Sequence, residues 1–204
     1  MARLWFSSDL HLFHENIFKL FKIDCPECKG NGIYDVIDSF AIPCPVCGGT
    51  GEIAARPFSS IAQMHSTMID CHNALVKPED HWWNLGDVTM LRGGKQQQEL
   101  MISEVVKFNG HKRLILGNHD QLPIIAYSIA GFDKIKGSHR IDNLLFSHFP
   151  LHPSTIAKGC VNVHGHIHTN PAPAGPYINI SVEAINYSPV SLEWLQDTAQ
   201  TLLR

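Results

Sequence analysis

Short apolar runs, each ending on polar residues, recur along this chain, with helical patterns between them. Arg3 to Ser8 reads as a buried strand running into Asp9-Leu10-His11. Ile17, Phe18, Leu20 and Phe21 give His14 to Phe21 helical spacing. Further on, Ser60 is placed to cap a helix with Ile61, Met64, His65, Met68, Ile69, His72, Leu75 and Val76 on one face. Pro78 stops it. His81 to Leu85 is a short strand running into Gly86-Asp87. Lys95 to Phe108 predicts a helix closed by Asn109-Gly110. Lys112 to Leu116 predicts a strand running into Gly117-Asn118-His119-Asp120, and Pro123 to Ala130 a helix. Later come strands at Phe132 to Ile135, Arg140 to Phe146, Cys160 to Val163 and Tyr177 to Val182. Ser191 then caps a last helix through Leu203. Alternating elements early and strands late point to sheets covered by helices, an α/β domain.

From about Lys22 to Ala55 the periodicity disappears and Cys, Gly and Pro crowd the chain. Residues 22–55 therefore read as an insertion into a domain spanning 1–204. A chain of 204 residues has room for one sizeable core and a small insert. The net charge of −3 gives no general basic character of the kind that marks a nucleic-acid binder. No run approaches 18 apolar residues, so no membrane span is expected, and Leu4-Trp5-Phe6 is too short for a signal-peptide core. The expected compartment is the cytoplasm, where the six Cys would stay reduced and act as ligands or free thiols.

The polar clusters carry the candidate chemistry. They are Asp9-Leu10-His11, Gly86-Asp87, Gly117-Asn118-His119-Asp120, Ser147-His148 and Gly165-His166-Ile167-His168. Taken singly, each has an ordinary reading as a cap, a turn or a surface pair. Together they offer at least two Asp, one Asn and four His as metal donors at strand ends, with one His to spare. The i and i+2 spacing of Asp9 with His11, and of His166 with His168, puts each pair on one face of a strand. Oxygen and imidazole donors in combination suit Mn, Fe or Zn better than Mg or Ca. His14, His152 and Arg92 are candidates to line a substrate pocket. His65, His72, His81, His111 and His139 read as structural or surface residues.

The ordered set D-x-H, GD, GNH(D/E), H and GH-x-H resembles the calcineurin-like metallophosphoesterase family over all of the chain outside the insertion. The closing stretch from Tyr177 and the early His14-Glu15-Asn16-Ile17 run resemble its small bacterial and phage branch. The resemblance implies a four-layer αββα sandwich with its site at the strand ends. It assigns Asp9, His11, Asp87 and His168 to one divalent metal and Asp87, Asn118, His148 and His166 to a second. It sets His119 against the leaving group, oriented by Asp120, in phosphodiester hydrolysis by metal-activated hydroxide. The expected ligand is a phosphoester small molecule or a nucleotide such as a cyclic nucleotide. A nuclease or phosphatase and a non-catalytic metal-binding protein are the alternatives.

In the insertion, Cys25, Cys28, Cys44 and Cys47 follow C-x₂-C-x₁₅-C-x₂-C, the spacing of a Cys₄ zinc site. Each half is C-P-x-C-x-G-x-G and resembles the zinc-binding repeats of J-domain co-chaperones. About 30 residues cannot build a core, so one structural Zn is expected to hold this ribbon together. Nucleic acid is a candidate partner of the ribbon. However, Lys29 is outweighed by Glu27, Asp35, Asp38 and Glu52. Cys71 and Cys160 read as buried thiols.

Overall fold

The computed structural model describes residues 2–37 and 40–204. It divides into two compact units, one of Met1–His14 with Ile61–Arg204 and one of Glu15–Ser60. The expected insertion of residues 22–55 falls inside the second unit, which is wider at both ends. Asp38, counted in its charge balance, lies outside the described residues.

The chain opens with β1 (Leu4–Ser7). The second unit supplies α1 (Ile17–Leu20), β2 (Lys22–Asp24), β3 (Ile33–Ile37), β4 (Phe40–Pro43) and β5 (Glu52–Ala54). The first unit resumes with α2 (Ile61–Leu75), β6 (His81–Asn84), α3 (Lys95–Val105), β7 (His111–Ile115), α4 (Ile124–Ile129) and β8 (Phe132–Lys136). It ends with β9 (Ser138–Ile141), β10 (Leu144–Ser147), β11 (Val161–His164), β12 (Tyr177–Asn179), β13 (Val190–Ser191) and α5 (Leu192–Leu202).

The first unit is a mixed α/β fold with two sheets. In the order β13-β1-β6-β7-β8, the last four strands are parallel and β13 is antiparallel. In the order β12-β11-β10-β9, the first three are parallel and β9 is antiparallel. Strand alternation builds the core. Phe6 and Trp83 are register partners on one face of the first sheet. They join Leu85 and Ile115 with Leu144, Phe146, Val161, Val163 and Ile178 of the second sheet, and with Leu195 and Ala199 of α5. Phe6 stacks on Phe146 at 4.6 Å between ring centroids, so the two sheets face each other across this cluster. Each large side chain buried there contributes on the order of 2 kcal/mol.

Trp82, one residue before Trp83, points to the opposite face, against His72 of α2 and Phe108 just beyond α3. The buried side of α2 is Met64, His65, Met68 and His72, at helical steps. Ser191 caps α5 by accepting a hydrogen bond from the Trp194 N–H at 3.2 Å.

Three elements differ from the sequence expectation. The single strand at Arg140 to Phe146 is a hairpin of β9 and β10, turned at Asp142-Asn143 with Asp142 at φ 52°. The helix at His14 to Phe21 is one turn, Ile17–Leu20. The strand from Tyr177 stops at Asn179 because the Asn179 carbonyl oxygen Oδ1 takes the Ser181 N–H and hydroxyl, at 2.9 and 2.8 Å. The second unit, expected to be irregular, contains two antiparallel pairs, β2 with β5 and β3 with β4. Among the described residues no helix is long and apolar enough to cross a membrane.

Candidate metal centres

The polar clusters follow the C-terminal ends of parallel strands, where crossover connections leave side chains pointing out of the sheet. Asp9 and His11 follow β1, Asp87 follows β6 and Asn118 to Asp120 follow β7. His148 follows β10, and His166 and His168 follow β11. Main-chain bonds tie these loops together: Asp9 N–H to Gly86 O at 3.0 Å, His11 N–H to Asp87 O at 2.9 Å and Gly165 N–H to His148 O at 3.0 Å. Asp9, His11, Asp87, His166 and His168 all have left-handed backbones, with φ of 61°, 50°, 54°, 70° and 52°. Such conformations cost of order 1 kcal/mol or more each and gather where a loop must aim a side chain. A Cβ at Gly117 would overlap Asp87 Oδ1, and one at Gly165 would overlap Ser8 Oγ and Asp9 Oδ2. Glycine at these positions lets the backbone close on the two carboxylates.

Two donor groups result: Asp9, His11 and His168, and Asp87, His148 and His166, with ligand atoms in each group within 4.8 Å of one another. Asp87 lies between them. Its Oδ2 is 3.3 Å from His148 Nε2 and 3.5 Å from His11 Nε2. Asp9 Oδ1 is 3.9 Å from both His11 Nε2 and His168 Nε2. Asn118 Oδ1 is 3.0 Å from His148 Nε2, beside the second group. Both carboxylates are buried. Burial works to raise the pKa of Asp87, but hydrogen bonding to His148 and the His148 charge carry it below the usual carboxylate value. Burial likewise opposes the charged form of His148, and Asp87 and Asp9 overcome it and raise its pKa. Burial first, and His148 second, lower that of His166. Two buried carboxylates among convergent imidazoles and one amide oxygen form a donor set that fits divalent cations.

Several supporting residues were not legible in the sequence. Glu183 Oε1 lies 2.9 Å from His168 Nδ1, and the Leu85 carbonyl lies 2.9 Å from His148 Nδ1. These contacts turn each Nε2 toward the donor group, as outer partners of metal-binding histidines do. Ser181 Oγ donates to Asp9 Oδ2 at 3.0 Å, and the His166 N–H donates to both Asp9 oxygens. The one sequence signal for Glu183 is its place in a polar break shortly after a strand.

The remaining candidates separate. The His119 N–H donates to Asp87 Oδ1 at 2.8 Å, and its Nε2 lies 4.0 Å from Asp87 Oδ2 on a partly exposed ring. The His14 ring is 5.5 Å from that of His11. Asp120 was expected to orient His119, and its carboxylate turns elsewhere. It accepts the N–H groups of Asp87, Val88 and Gly117, each at 2.9 Å, and the Tyr127 hydroxyl at 3.3 Å. A buried carboxyl gains more from three amides than from one imidazole at the mouth of the site. Burial first, and then Asp87, raise its pKa to about 6 against those amides. His152, expected near substrate, is exposed and pairs locally with Ser154. Arg92 is also exposed.

In the second unit the four cysteines converge, with Cys25 Sγ 3.8 Å from Cys44 Sγ and Cys28 Sγ 3.7 Å from Cys47 Sγ. The edge of a tetrahedron with Zn–S bonds of about 2.3 Å is about 3.8 Å, so the donors fit tetrahedral zinc. The two halves repeat the same bonds. Gly30 and Gly49 N–H groups donate to Cys25 and Cys44 carbonyls at 3.3 Å, while Cys25 and Cys44 N–H groups donate across to Gly51 and Gly32. Burial opposes the Cys47 thiolate, but the Gly51 N–H, the Cys28 thiol and the Gly49 N–H bring Cys47 down to about 6.

No family model matches the chain. An uncharacterized protein of Methanocaldococcus jannaschii is 32% identical over 150 residues, covering 68% of this chain and 76% of that protein. The crystal structure of a protein of unknown function from Aquifex aeolicus is similar at a TM-score of 0.62 and 21% identity, covering 97% of this chain and 99% of that one; the likeness is one of fold. The nuclease MPE of Pseudomonas putida gives a TM-score of 0.40 at 15% identity, covering 55% of this chain and 56% of that one.

Proposed function

The chain belongs to the same family as the Methanocaldococcus jannaschii protein, and from the donors its loops assemble we propose that it is a metal-dependent phosphoesterase of the calcineurin-like type. The observation that carries this reading is the position of Asp87, within 3.3 Å of His148 and 3.5 Å of His11, between the two donor groups. Asp9, His11 and His168 would hold one divalent cation, and Asn118, His148 and His166 the other, with Asp87 contributing to both. Mn, Fe or Zn suits these donors. When bound, such cations supply Lewis-acid polarisation of a phosphoryl group and acidify a water.

The chain's own groups do the rest. His119 stands at the open side of Asp87, placed to give a proton to the departing oxygen. Its main-chain N–H holds Asp87 from behind. Asp120 is a positioning residue. By gathering the amides of Gly117, Asp87 and Val88 it fixes the loop after β6 against the loop after β7. The two facing sheets, with α2 on the outer face of one, support reading the fold as the four-layer αββα sandwich of that family. We assign one structural Zn to Cys25, Cys28, Cys44 and Cys47, and we place the enzyme in the cytoplasm. A phosphodiester, including a cyclic nucleotide, is the proposed substrate class.

The test is hydrolysis of a generic aryl phosphodiester beside the matching monoester, with metal-stripped protein titrated with Mn²⁺. Metal-dependent diester cleavage that falls roughly 10²-fold or more in His119→Ala is expected. No turnover of either ester with metal bound at both donor groups would sink the reading and leave a binding protein.

A further inference from the structure

The motifs account for one end of the first unit. Away from the donor groups, the same sheet carries a concentration of positive charge that the proposed chemistry does not use. Arg113 on β7 and Lys134 on β8 are register partners, and Lys136 lies two residues farther along β8, beside Ile115. Arg113 and Lys136 gather around Trp83, and Lys134 lies beside Arg113. The Arg113 guanidinium lies 5.7 Å and Lys136 Nζ 6.0 Å from the Trp83 ring centroid. His139 of β9 stacks on the same ring at 4.6 Å, and Lys136 Nζ is 3.4 Å from His139 Nδ1. Arg113 also reaches His81 Nδ1 at 3.2 Å.

This cluster is short of counter-charge. Among the described residues no carboxylate lies within ion-pairing distance of Arg113, Lys134 or Lys136, and Arg113 Nε is buried with no hydrogen-bond partner. At His81, Asp133 acts against Arg113, His111 and Lys134. Unpaired cations held together repel one another, in a chain whose net charge is −3. An anion would relieve that repulsion.

The row has a direction. β7 carries Arg113 and ends at Ile115, three residues before Asn118, and the Leu116 N–H bonds to Lys136 O at 2.9 Å. At about 3.3 Å per strand residue, Arg113 and Lys134 lie roughly 7 Å back along the strands from Ile115 and Lys136, which stand at the end nearer Asn118. A single bound phosphate would use one end of such a row. A chain of phosphates would use all of it, with imidazole rings alongside as surfaces for bases.

Resting on the phosphoesterase reading, we propose that Arg113, Lys134 and Lys136 bind the backbone of a single-stranded nucleic acid whose scissile phosphodiester is held at the Asp87 site. The polymer contact is thereby placed on the edge of the main sheet and not on the cysteine module. In that module Lys22 and Lys29 are set against Asp24, Glu27, Asp35 and Glu52.

The experiment uses the full metal-loaded chain and a fluorescent single-stranded 20-mer, with anisotropy read across a salt series and probe integrity checked on a gel. Lys134→Gln/Lys136→Gln, at two exposed positions, is compared with the parent and with Lys134→Arg/Lys136→Arg. Losing two phosphate contacts should lower the slope of log K against log salt by about 1.4 and weaken binding evenly across sequences. The arginine variant should restore both. Aryl phosphodiester turnover should stay at the parental rate. An unchanged slope and affinity in the glutamine variant would overturn the proposal. Absence of turnover of both the aryl diester and the monoester in the metal-loaded parent would remove the phosphoesterase reading alone, because the binding result does not depend on it.

Discussion

The two candidate metal centres reach convergent donors by opposite routes. In the Asp/His centre, Asp9 and His166 meet although 157 residues apart. The apolar core brings them together: Phe6, Phe146 and Val163 set where β1, β10 and β11 end, and the donors follow. In the cysteine centre, paired sulfurs are only 19 residues apart. They come from two copies of one turn, in a unit whose buried cluster is Cys25, Cys28 and Cys44 themselves, with Cys47 and Ile53 against it. The first site is made by the fold. In the second, the fold is made by the site.

The most severe way to break this contrast is to remove the zinc proposed for the four cysteines. Structural zinc contributes on the order of 10 kcal/mol or more to small modules of this kind. A thiol-competing chelator should therefore unfold Cys25 to Gly51 while the Phe6–Phe146 core stays intact. Hydrogen exchange should show full loss of amide protection in the module and none around Trp83. Equal loss in both would mean that the first unit also depends on that metal.

Asp87→Asn should act on function and spare the core. With the carboxylate proposed to serve both cations gone, kcat/KM for an aryl phosphodiester should fall at least 10²- to 10³-fold, the scale for losing a key electrostatic group. Circular dichroism should be unchanged. A milder fall would put the bridging role elsewhere.

His72 separates histidines that serve the core from those that serve the site. Burial foremost, and Lys112 after it, lower its pKa to about 4 although the Asn109 carbonyl favours the cation. The unfolded chain, with an ordinary value near 6.5, therefore takes up a proton that the folded chain refuses between pH 6.5 and 4. Stability is full above pH 6.5 and falls as pH drops toward 4, by on the order of 3 kcal/mol. Urea unfolding of the parent against His72→Gln should show this part of the acid sensitivity disappear. Identical pH slopes would reject the assignment.

Glu183→Gln should have the smallest effect. It weakens the partner of His168 Nδ1 without touching a donor, and metal affinity should fall about 10- to 100-fold by calorimetry, with the protein still folded. No change would reduce Glu183 to a packing residue.

Much of this was written locally in the sequence. The α2 stripe, the Ser191 cap and the cysteine spacing all depend on residues a few positions apart. The hairpin at Asp142-Asn143 was missed because the apolar pattern continues through it, although Asp-Asn is a recognisable turn pair. The donors themselves were legible as strand-end clusters. Their supports were not. Nothing in the neighbourhood of Glu183 announces His168, and nothing around Asp120 shows that it serves the amides of Asp87 and Val88 rather than the ring of His119.

The sequence by itself determined the donor types, their place after apolar strands and the paired cysteine turns, because helical and strand periods and ligand spacing are short-range properties. Only the tertiary structure decided that Asp87 stands between the two groups, that His152 stays outside them, and that Arg113 and Lys136 meet over Trp83 with Lys134 beside Arg113. Those facts depend on strand order and on the register of sheets packed face to face, which are fixed by contacts between residues far apart in the chain.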